Sequence, residues 1–578
     1  MARFAIRTLE FDKVKNMLAA KAATFLGKQA VMALQIESDF AKVKRLQEET
    51  AEALRILDEG RRFPFGGAYN ITADVKRAEI GSVLEAEELL HVLTTVQALR
   101  AMKDFLAENA EIMPTLAEYG NEMQQFSRLE KQIDNAIDEH GEIKDSASPK
   151  LAGLRTAIQI SKNRVKEKLD SLLHDPNNQK YFQDNIVTMR GDRYVIPVKQ
   201  EYKMNFPGIV HDQSGTGATL FIEPLAVVNL NNDIKRYVAE EREEVERILR
   251  QLTQNVGADA TAILSTLDIF TKLDVICAKA LLAQAQHAVR PMMVLGSGVE
   301  IHQGRHPLLK QESVVPLDVH LGDKFTMLLI TGPNTGGKTV TLKTIGLFSI
   351  MAAAGLHIPA QDNSEAAVFH HIFADIGDEQ SIEQSLSTFS SHMVNTVSIL
   401  ENIDFNSLAL FDELGAGTDP TEGAALAISI LEFLRARKAT TVATTHYSEL
   451  KLFALSTDGV ENASCEFDVA TLQPTYKLLI GVPGKSNAFA ISRRLGLDER
   501  IIDRANDILS DEDIKFEDVI TDLEQNRAKA RKEADEAARM KRELTDLRKQ
   551  IENDRIKLKE NKSRILDEAR REAKILVM

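Results

Sequence analysis

Gly332-Pro-Asn-Thr-Gly-Gly-Lys-Thr339 is the stretch on which the reading of this chain turns. The apolar run Thr326–Ile330 leads into it and reads as a buried strand; the amphipathic stretch after Lys338 reads as a helix. A strand, a glycine-rich turn and a helix start bring several backbone N–H groups and the positive end of the helix dipole to one point, which suits the phosphates of ATP. Gly332, Pro333, Asn334, Thr335, Gly336 and Gly337 would form the cradle. Lys338 would reach the β/γ-phosphates, and the Thr339 hydroxyl would ligate Mg²⁺.

A second element lies 73 residues further on, counted from Thr339 to Asp412. Ser407-Leu-Ala-Leu-Phe-Asp-Glu413 is a buried strand with two acids at its carboxyl end. Phosphoryl transfer needs charge neutralisation and positioning more than covalent chemistry. Asp412 is suited to hold Mg²⁺ through water and Glu413 to polarise the attacking water. An Asp-Glu pair alone could simply cap a strand–helix loop; paired with the phosphate cradle it reads as an ATP-hydrolysing centre. Leu414-Gly-Ala-Gly-Thr-Asp-Pro420 follows as a loop carrying Asp419, and Ser385-Leu-Ser-Thr-Phe-Ser-Ser-His-Met393 precedes the acids. The β-like run Thr440–Thr445 ends at His446, a position from which a histidine can sense the γ-phosphate.

Working outward, 293–510 alternates strand-like and helical segments, as in a parallel α/β domain. Residues 1–122 carry helical periodicity broken at Pro64-Phe-Gly-Gly67, and read as a helical core; Leu89, Leu93 and Val96 fall on one helical face. From 123 to 180 the pattern becomes long, charged and sparsely apolar, a helical arm interrupted near Ser146–Pro149. Residues 181–225 read as a small β-rich clamp: two β-like runs flank Arg190-Gly-Asp192, and two more surround the glycines of 208–217. The stretch 226–292 returns as arm and lever helices. Residues 511–578 lack Gly and Pro, and Leu544, Ile551, Leu558 and Ile565 recur every seven residues, a coiled-coil seam or a solvated helical tail. The expected fold is therefore multidomain: α-helical core and lever with a long helical arm and small β-rich clamp, then an α/β P-loop ATPase domain and a helical tail.

Composition narrows the classes further. The 578 residues are 44% hydrophobic and 27% charged, and no segment reads as a secretion signal or membrane span. Only Cys277 and Cys465 occur, which excludes a disulfide scaffold and fits a reducing cytoplasm. A net charge of −15 weighs against indiscriminate coating of nucleic acid. It leaves room for a grip through one local surface, and Arg190, Arg193, Lys199 and Lys203 of the clamp are the candidates for phosphate contact. They stand among Asp192, Glu201 and Asp212, so a set of ordinary solvated charges is the alternative.

Taken in order, Gly332–Thr339, Ser387-Thr-Phe389, Asp412-Glu-Leu-Gly-Ala-Gly-Thr418 and Thr444-Thr-His-Tyr447 resemble the MutS family of ABC-type ATPases. Arg305-His-Pro307 looks like that family's approach to the nucleotide domain, and Gly481, Ser486 and Ala488 match a pattern near its end. The resemblance implies a homodimer in which Ser387 of one subunit faces the nucleotide of the other. It also places His306 and Asp419 with the nucleotide-binding residues. The layout is similar to the bacterial type-two MutS subfamily, which has no mismatch-reading or connector domain. The triplets Phe221-Ile-Glu223 and Phe411-Asp-Glu413 occur only inside the clamp and the acid-bearing strand, the wrong context for a mismatch wedge. Relatives continue into a β-barrel and an Smr nuclease domain; the expectation here is a chain without that nuclease. By resemblance, the clamp closes on a stalled or collided ribosome and splits it, or on branched DNA to suppress recombination.

Overall fold

The computed structural model describes residues 4–332, 336–377, 388–468, 473–484, 488–494, 496–508 and 540. Pro333, Asn334, Thr335, Ser387 and, apart from Met540, the proposed coiled-coil tail lie outside the described residues. The chain is a multidomain mixture of helices and sheets.

Two long helices form the arm. Pro149–His174 starts at Ser148, whose side chain accepts from the Leu151 N–H, and Leu225–Ala258 runs back alongside it. At 1.5 Å per residue they are about 39 and 51 Å long. Leu151, Leu154, Ile158, Ser161, Val165, Leu169 and Leu173 recur every three or four positions and form the buried stripe of the outgoing helix. The sparse apolar content of this region is thus concentrated in one seam, while the remaining faces stay charged.

Four antiparallel strands occupy the stretch expected from the sequence to form the clamp: β1 (Thr188–Arg190), β2 (Arg193–Lys199), β3 (Gly208–Gln213) and β4 (Thr219–Pro224), in the order β1-β2-β4-β3. Arg190 pairs with Arg193 across a two-residue turn, Gly191 at φ 53° and Asp192 at φ 62°, the left-handed pair that a tight hairpin requires.

The α/β region contains two sheets. One holds β5 (Met292–Val294), β6 (Val299–Gly304), β7 (Leu317–Leu321) and β9 (Glu365–Ala367), ordered β5-β9-β6-β7. The other holds β8 (Met327–Thr331), β10 (His371–Asp375), β11 (Ser407–Phe411), β12 (Thr440–Thr444), β13 (Val460–Asp468) and β14 (Gln473–Ile480). Its order is β10-β11-β12-β8-β13-β14, parallel throughout except for the final β13–β14 hairpin. β8, β11 and β12 are buried at every position, as strands covered on both faces must be.

Residues near the amino terminus do not all join the helical core. Leu9, Phe11, Val14, Leu18 and Val31 are buried in the same cluster as Leu328, Ile330, Ile345 and Phe348 of the α/β region. Leu9 packs so closely on the helix Lys338–Ala353 that a Cβ on Gly346 would come within 2.7 Å of its Cδ1. Helical periodicity over 1–122 reports that each segment has an apolar face, not which core that face enters.

The far end of this helix is fastened to the helical core. Gln47 Nε2 donates to the carbonyls of Ala352 and Leu356 (2.8 and 2.9 Å), Thr50 Oγ1 to Gly355 (2.7 Å) and Lys279 Nζ to Ala354 (2.7 Å). Ala354, Gly355 and Leu356 lie just past the helix's last residue; the Ala352 carbonyl also accepts from the Gly355 N–H (3.0 Å), and a cation at the helix's negative end is favourable. Burial lowers the Lys279 pKa to about 8, despite the opposing pull of Glu49.

Candidate functional site

The carboxyl ends of β8, β10, β11 and β12 meet along one edge of the parallel sheet, where α/β folds bind ligands. β8 ends at Thr331; Gly332 follows at φ 119°, and Gly337 at φ 93° caps the helix Lys338–Ala353. Such backbone angles are open to glycine and strained for other residues. The helix therefore begins at Lys338, the first residue whose side chain the cradle requires.

Lys338 is 2% exposed, and its Nζ has no hydrogen-bond partner among the described residues. Burial pushes its pKa below the usual lysine value, while Glu413, Asp412 and Cys465 act in the opposite sense. Beside it, Thr339 Oγ1 donates to Asp412 Oδ2 at 2.7 Å, so both candidate Mg²⁺ ligands are already in contact. Thr444 Oγ1 donates to the other oxygen, Asp412 Oδ1, at 2.6 Å. The Asp412 N–H is held by the Asp375 carbonyl at 2.8 Å. Glu413 has φ 52°, a left-handed turn uncommon for a non-glycine residue and frequent at functional sites.

His446 is exposed just beyond β12, its ring centroid 4.6 Å from that of Tyr447. Tyr447 is buried and donates to the Gly415 carbonyl at 2.9 Å, fixing the loop after Glu413. Gly423 leaves room for this contact; a Cβ there would lie 2.4 Å from the Gly415 carbonyl oxygen. Asp419 caps the helix Pro420–Ala436, accepting from the N–H groups of Thr421 and Glu422 (3.0 and 3.2 Å). His306 is 6% exposed and is held neutral by burial, with a pKa near 4; Glu10 and Lys343, an ion pair at 3.1 Å, exert opposing fields on it.

Three features escaped the sequence reading. Thr444 is one. Tyr476 is another: it lies on β14, far along the chain, yet its ring lies against Gly337, with Cδ1 3.0 Å from where a Gly337 Cβ would be. It is 51% exposed, leaving a ring surface open to a base. The third is the Asp375 carboxylate at the end of β10, within 3.0 Å of His392 Nδ1 and 2.9 Å of Asn395 Nδ2. Both belong to the helix Thr388–Asn402, which directly follows Ser387. Nothing local marks these pairings, since each joins separate segments of the sequence.

The clamp cations divide. Arg193 turns inward: its Nη1 donates to both oxygens of Glu223 (2.8 and 3.1 Å) and its Nη2 to Asn232 (2.7 Å). Glu223 is fully buried and is also met by His211 Nε2 (2.6 Å) and Asn231 Nδ2 (2.7 Å). Arg190 lies over the Phe221 ring at 4.1 Å and pairs with Asp212 at 3.1 Å. Lys199 is half-buried and Lys203 exposed. The arginines thus hold the module together, leaving Lys203 as the most open of the four.

Residues 328–512 match the family model described as MutS domain V. Over most of its length the chain is similar to curated proteins called endonuclease MutS2. It is 53% identical to that of Geobacillus sp. (strain WCH70) over 531 residues, covering 91% of this chain and 68% of the relative. It is 49% identical to that of Clostridium beijerinckii over 575 residues, covering 99% of this chain and 73% of the relative. The chain belongs to the MutS2 family. That of Symbiobacterium thermophilum is 52% identical, with 66% of its length covered. The chain therefore spans about two thirds to three quarters of these MutS2 proteins.

MutS2 membership makes ATP and Mg²⁺ the expected ligands, and the residues fit them. Lys338 offers a buried cation without a hydrogen-bond partner among the described residues, and Thr339 and Asp412 offer adjacent oxygens. Among the described residues no cluster of three or more His, Cys, Asp or Glu could hold a metal ion. The adjacent oxygens of Thr339 and Asp412 suit Mg²⁺, which takes one or two protein oxygens and completes its shell with phosphate and water. Among the described residues no helix is long and apolar enough to cross a membrane.

Proposed function

We propose that this chain is a homodimeric ATP-driven clamp that engages stalled or collided ribosomes and parts their subunits. The observation carrying the ATPase half is Lys338, a buried ammonium without a hydrogen-bond partner among the described residues, within the fields of Glu413 and Asp412. A buried unpaired charge is costly, and the β/γ-phosphates of ATP are the counter-charge that removes the cost. Mg²⁺, when bound at Thr339 and Asp412, supplies further neutralisation of phosphate charge. Glu413 orients a water and accepts its proton as the water oxygen bonds to the γ-phosphorus. The bond from that phosphorus to the bridging oxygen breaks, leaving ADP and inorganic phosphate. Lys338 stabilises the charge that develops on the phosphate oxygens, and His446 senses whether the γ-phosphate is present.

Ser387 and Asp419 act at the dimer face, with Ser387 of one subunit completing the nucleotide site of the other. Movement of the helix Lys338–Ala353 then passes through Gln47, Thr50 and Lys279 to the helical core, and from there along the arm. The inward-turned Arg193, the stacked Arg190 and the net charge of −15 favour recognition of a large shaped surface over phosphate coating. Met204, 92% exposed on the clamp, suits a surface containing protein as well as RNA. The exposed Lys203 beside it favours a second reading, branched DNA held through its phosphates.

A Glu413→Ala protein should bind ATP without hydrolysing it and so retain its target. Both ribosomal subunits should co-purify with it in an ATP-dependent manner. Recovery of branched DNA without ribosomal RNA would overturn the ribosome reading in favour of the second.

A further inference from the structure

One hydroxyl serves both acids of the candidate ATPase centre at once. Thr444 closes β12 and is fully buried, two residues before His446. Its Oγ1 donates to Asp412 Oδ1 at 2.6 Å and accepts from the Glu413 N–H at 2.8 Å. Its carbonyl accepts from the Leu414 N–H at 3.1 Å. The left-handed turn at Glu413 is therefore held by the side chain and the main chain of a single residue. Strained backbone persists only where its surroundings over-determine it, and these bonds do so.

The chemistry requires a hydroxyl. This atom must donate to a carboxylate and accept from an amide simultaneously, which serine and threonine can do and valine and alanine cannot. Asp412 is consequently gripped on both oxygens by threonines: Thr339 from the cradle helix and Thr444 from the strand that leads to His446. Its carboxylate plane is fixed by protein groups alone. The same hydroxyl sets the position of the next residue, Glu413.

We propose that Thr444 is a positioning residue of this ATPase, holding Asp412 in the orientation for the cation and Glu413 in the turn that aims it at water. This inference rests on the ATPase reading above. It predicts that hydrolysis depends on Thr444 far more than nucleotide binding does. The competing account is a buried strand threonine that satisfies its hydroxyl on the nearest acceptor and contributes to folding only.

The test uses the full chain, as Thr444→Val and Thr444→Ser, with wild type and Glu413→Ala measured alongside. We expect Thr444→Val to lower kcat for MgATP by about 10–100-fold, the scale of a small misplacement of reacting groups. Its KM and ATP affinity should stay within about 3-fold of wild type, and half-maximal activity should require more Mg²⁺. Thr444→Ser should recover kcat to within about 3-fold, because it keeps both hydrogen bonds. Should the valine variant fail to fold, Thr444→Cys keeps the size and replaces the hydroxyl by a poor donor, with the same expectation. Wild-type kcat in the valine or cysteine variant overturns the proposal. So does a folded serine variant that stays as slow as valine. A wild-type chain without ATP hydrolysis would instead sink the ATPase reading itself, a separable outcome.

Discussion

Two buried charges, Lys338 in the α/β region and Glu223 in the clamp, are treated in opposite ways by the same chain. Glu223 is fully buried and surrounded by donors from Arg193, His211 and Asn231. Its cost of desolvation is offset inside the protein, and the result is a fixed junction between the clamp sheet and the helix Leu225–Ala258. Lys338 is just as buried, yet its Nζ has no partner among the described residues, and burial depresses its pKa. One charge is compensated inside the protein; the other has no hydrogen-bond partner among the described residues, as the proposed phosphate contact requires. The glycine-rich turn before Lys338 marks it for a ligand in the sequence, whereas nothing near Glu223 on β4 announces the donors that enclose it.

Removing each charge should therefore have opposite consequences. Lys338→Ala is expected to weaken ATP binding and hydrolysis by about 10²-fold or more, as the loss of a preorganised electrostatic contact does. It should leave the melting temperature unchanged or slightly higher, because an unpaired buried charge has gone. Nucleotide titration and thermal unfolding of the same sample check both halves. A large loss of stability would make Lys338 structural and erase the contrast.

Glu223→Ala should do the reverse. Arg193, its side chain 18% exposed, would lose its carboxylate, and breaking a pair with one fully buried member costs up to about 3–5 kcal/mol. Hydrogen exchange should increase across β2, β4 and the start of the helix Leu225–Ala258, with ATP affinity unaltered. Unchanged protection there would mean that the clamp does not depend on this network.

A smaller effect sharpens the cradle side. Tyr476→Ala should weaken ATP about 5–50-fold, the range for losing about 1–2 kcal/mol of aromatic stacking on a base. Tyr476→Phe should bind normally, and inorganic triphosphate, which has no base, should not distinguish the variants. Equal loss for triphosphate would assign the ring to shaping Gly337 instead.

Much of the candidate site was legible because its parts are local. The turn at Gly332–Thr339, the acids after Ser407–Phe411 and the strand before His446 each carry a composition fixed by burial and backbone geometry within a few residues. The clamp hairpin was legible for the same reason, since Gly191 and Asp192 supply the left-handed turn. The partners of Arg190 and Arg193 were not legible, because a surface-type residue reveals its charge but not what it meets. Their engagement with Phe221, Asp212 and Glu223 depends on strand register. The packing of Leu9 and Phe11 against the α/β region was hidden likewise, as periodicity does not name the opposite face.

By itself, the sequence determined that this chain carries a phosphate cradle, an acid pair and the order of motifs shared with MutS2 proteins. Those depend on short-range rules: periodicity, turn chemistry and the need to cover both faces of a parallel strand. Only the tertiary structure decided that Lys338 has no hydrogen-bond partner among the described residues while Glu223 is enclosed, that Thr444 bonds the Asp412 carboxylate and the Glu413 backbone, and that Tyr476 lies against Gly337. The physical reason is common to all of these. Desolvation and hydrogen bonding are settled by neighbours in space, and here those neighbours come from segments as far apart as 337 and 476.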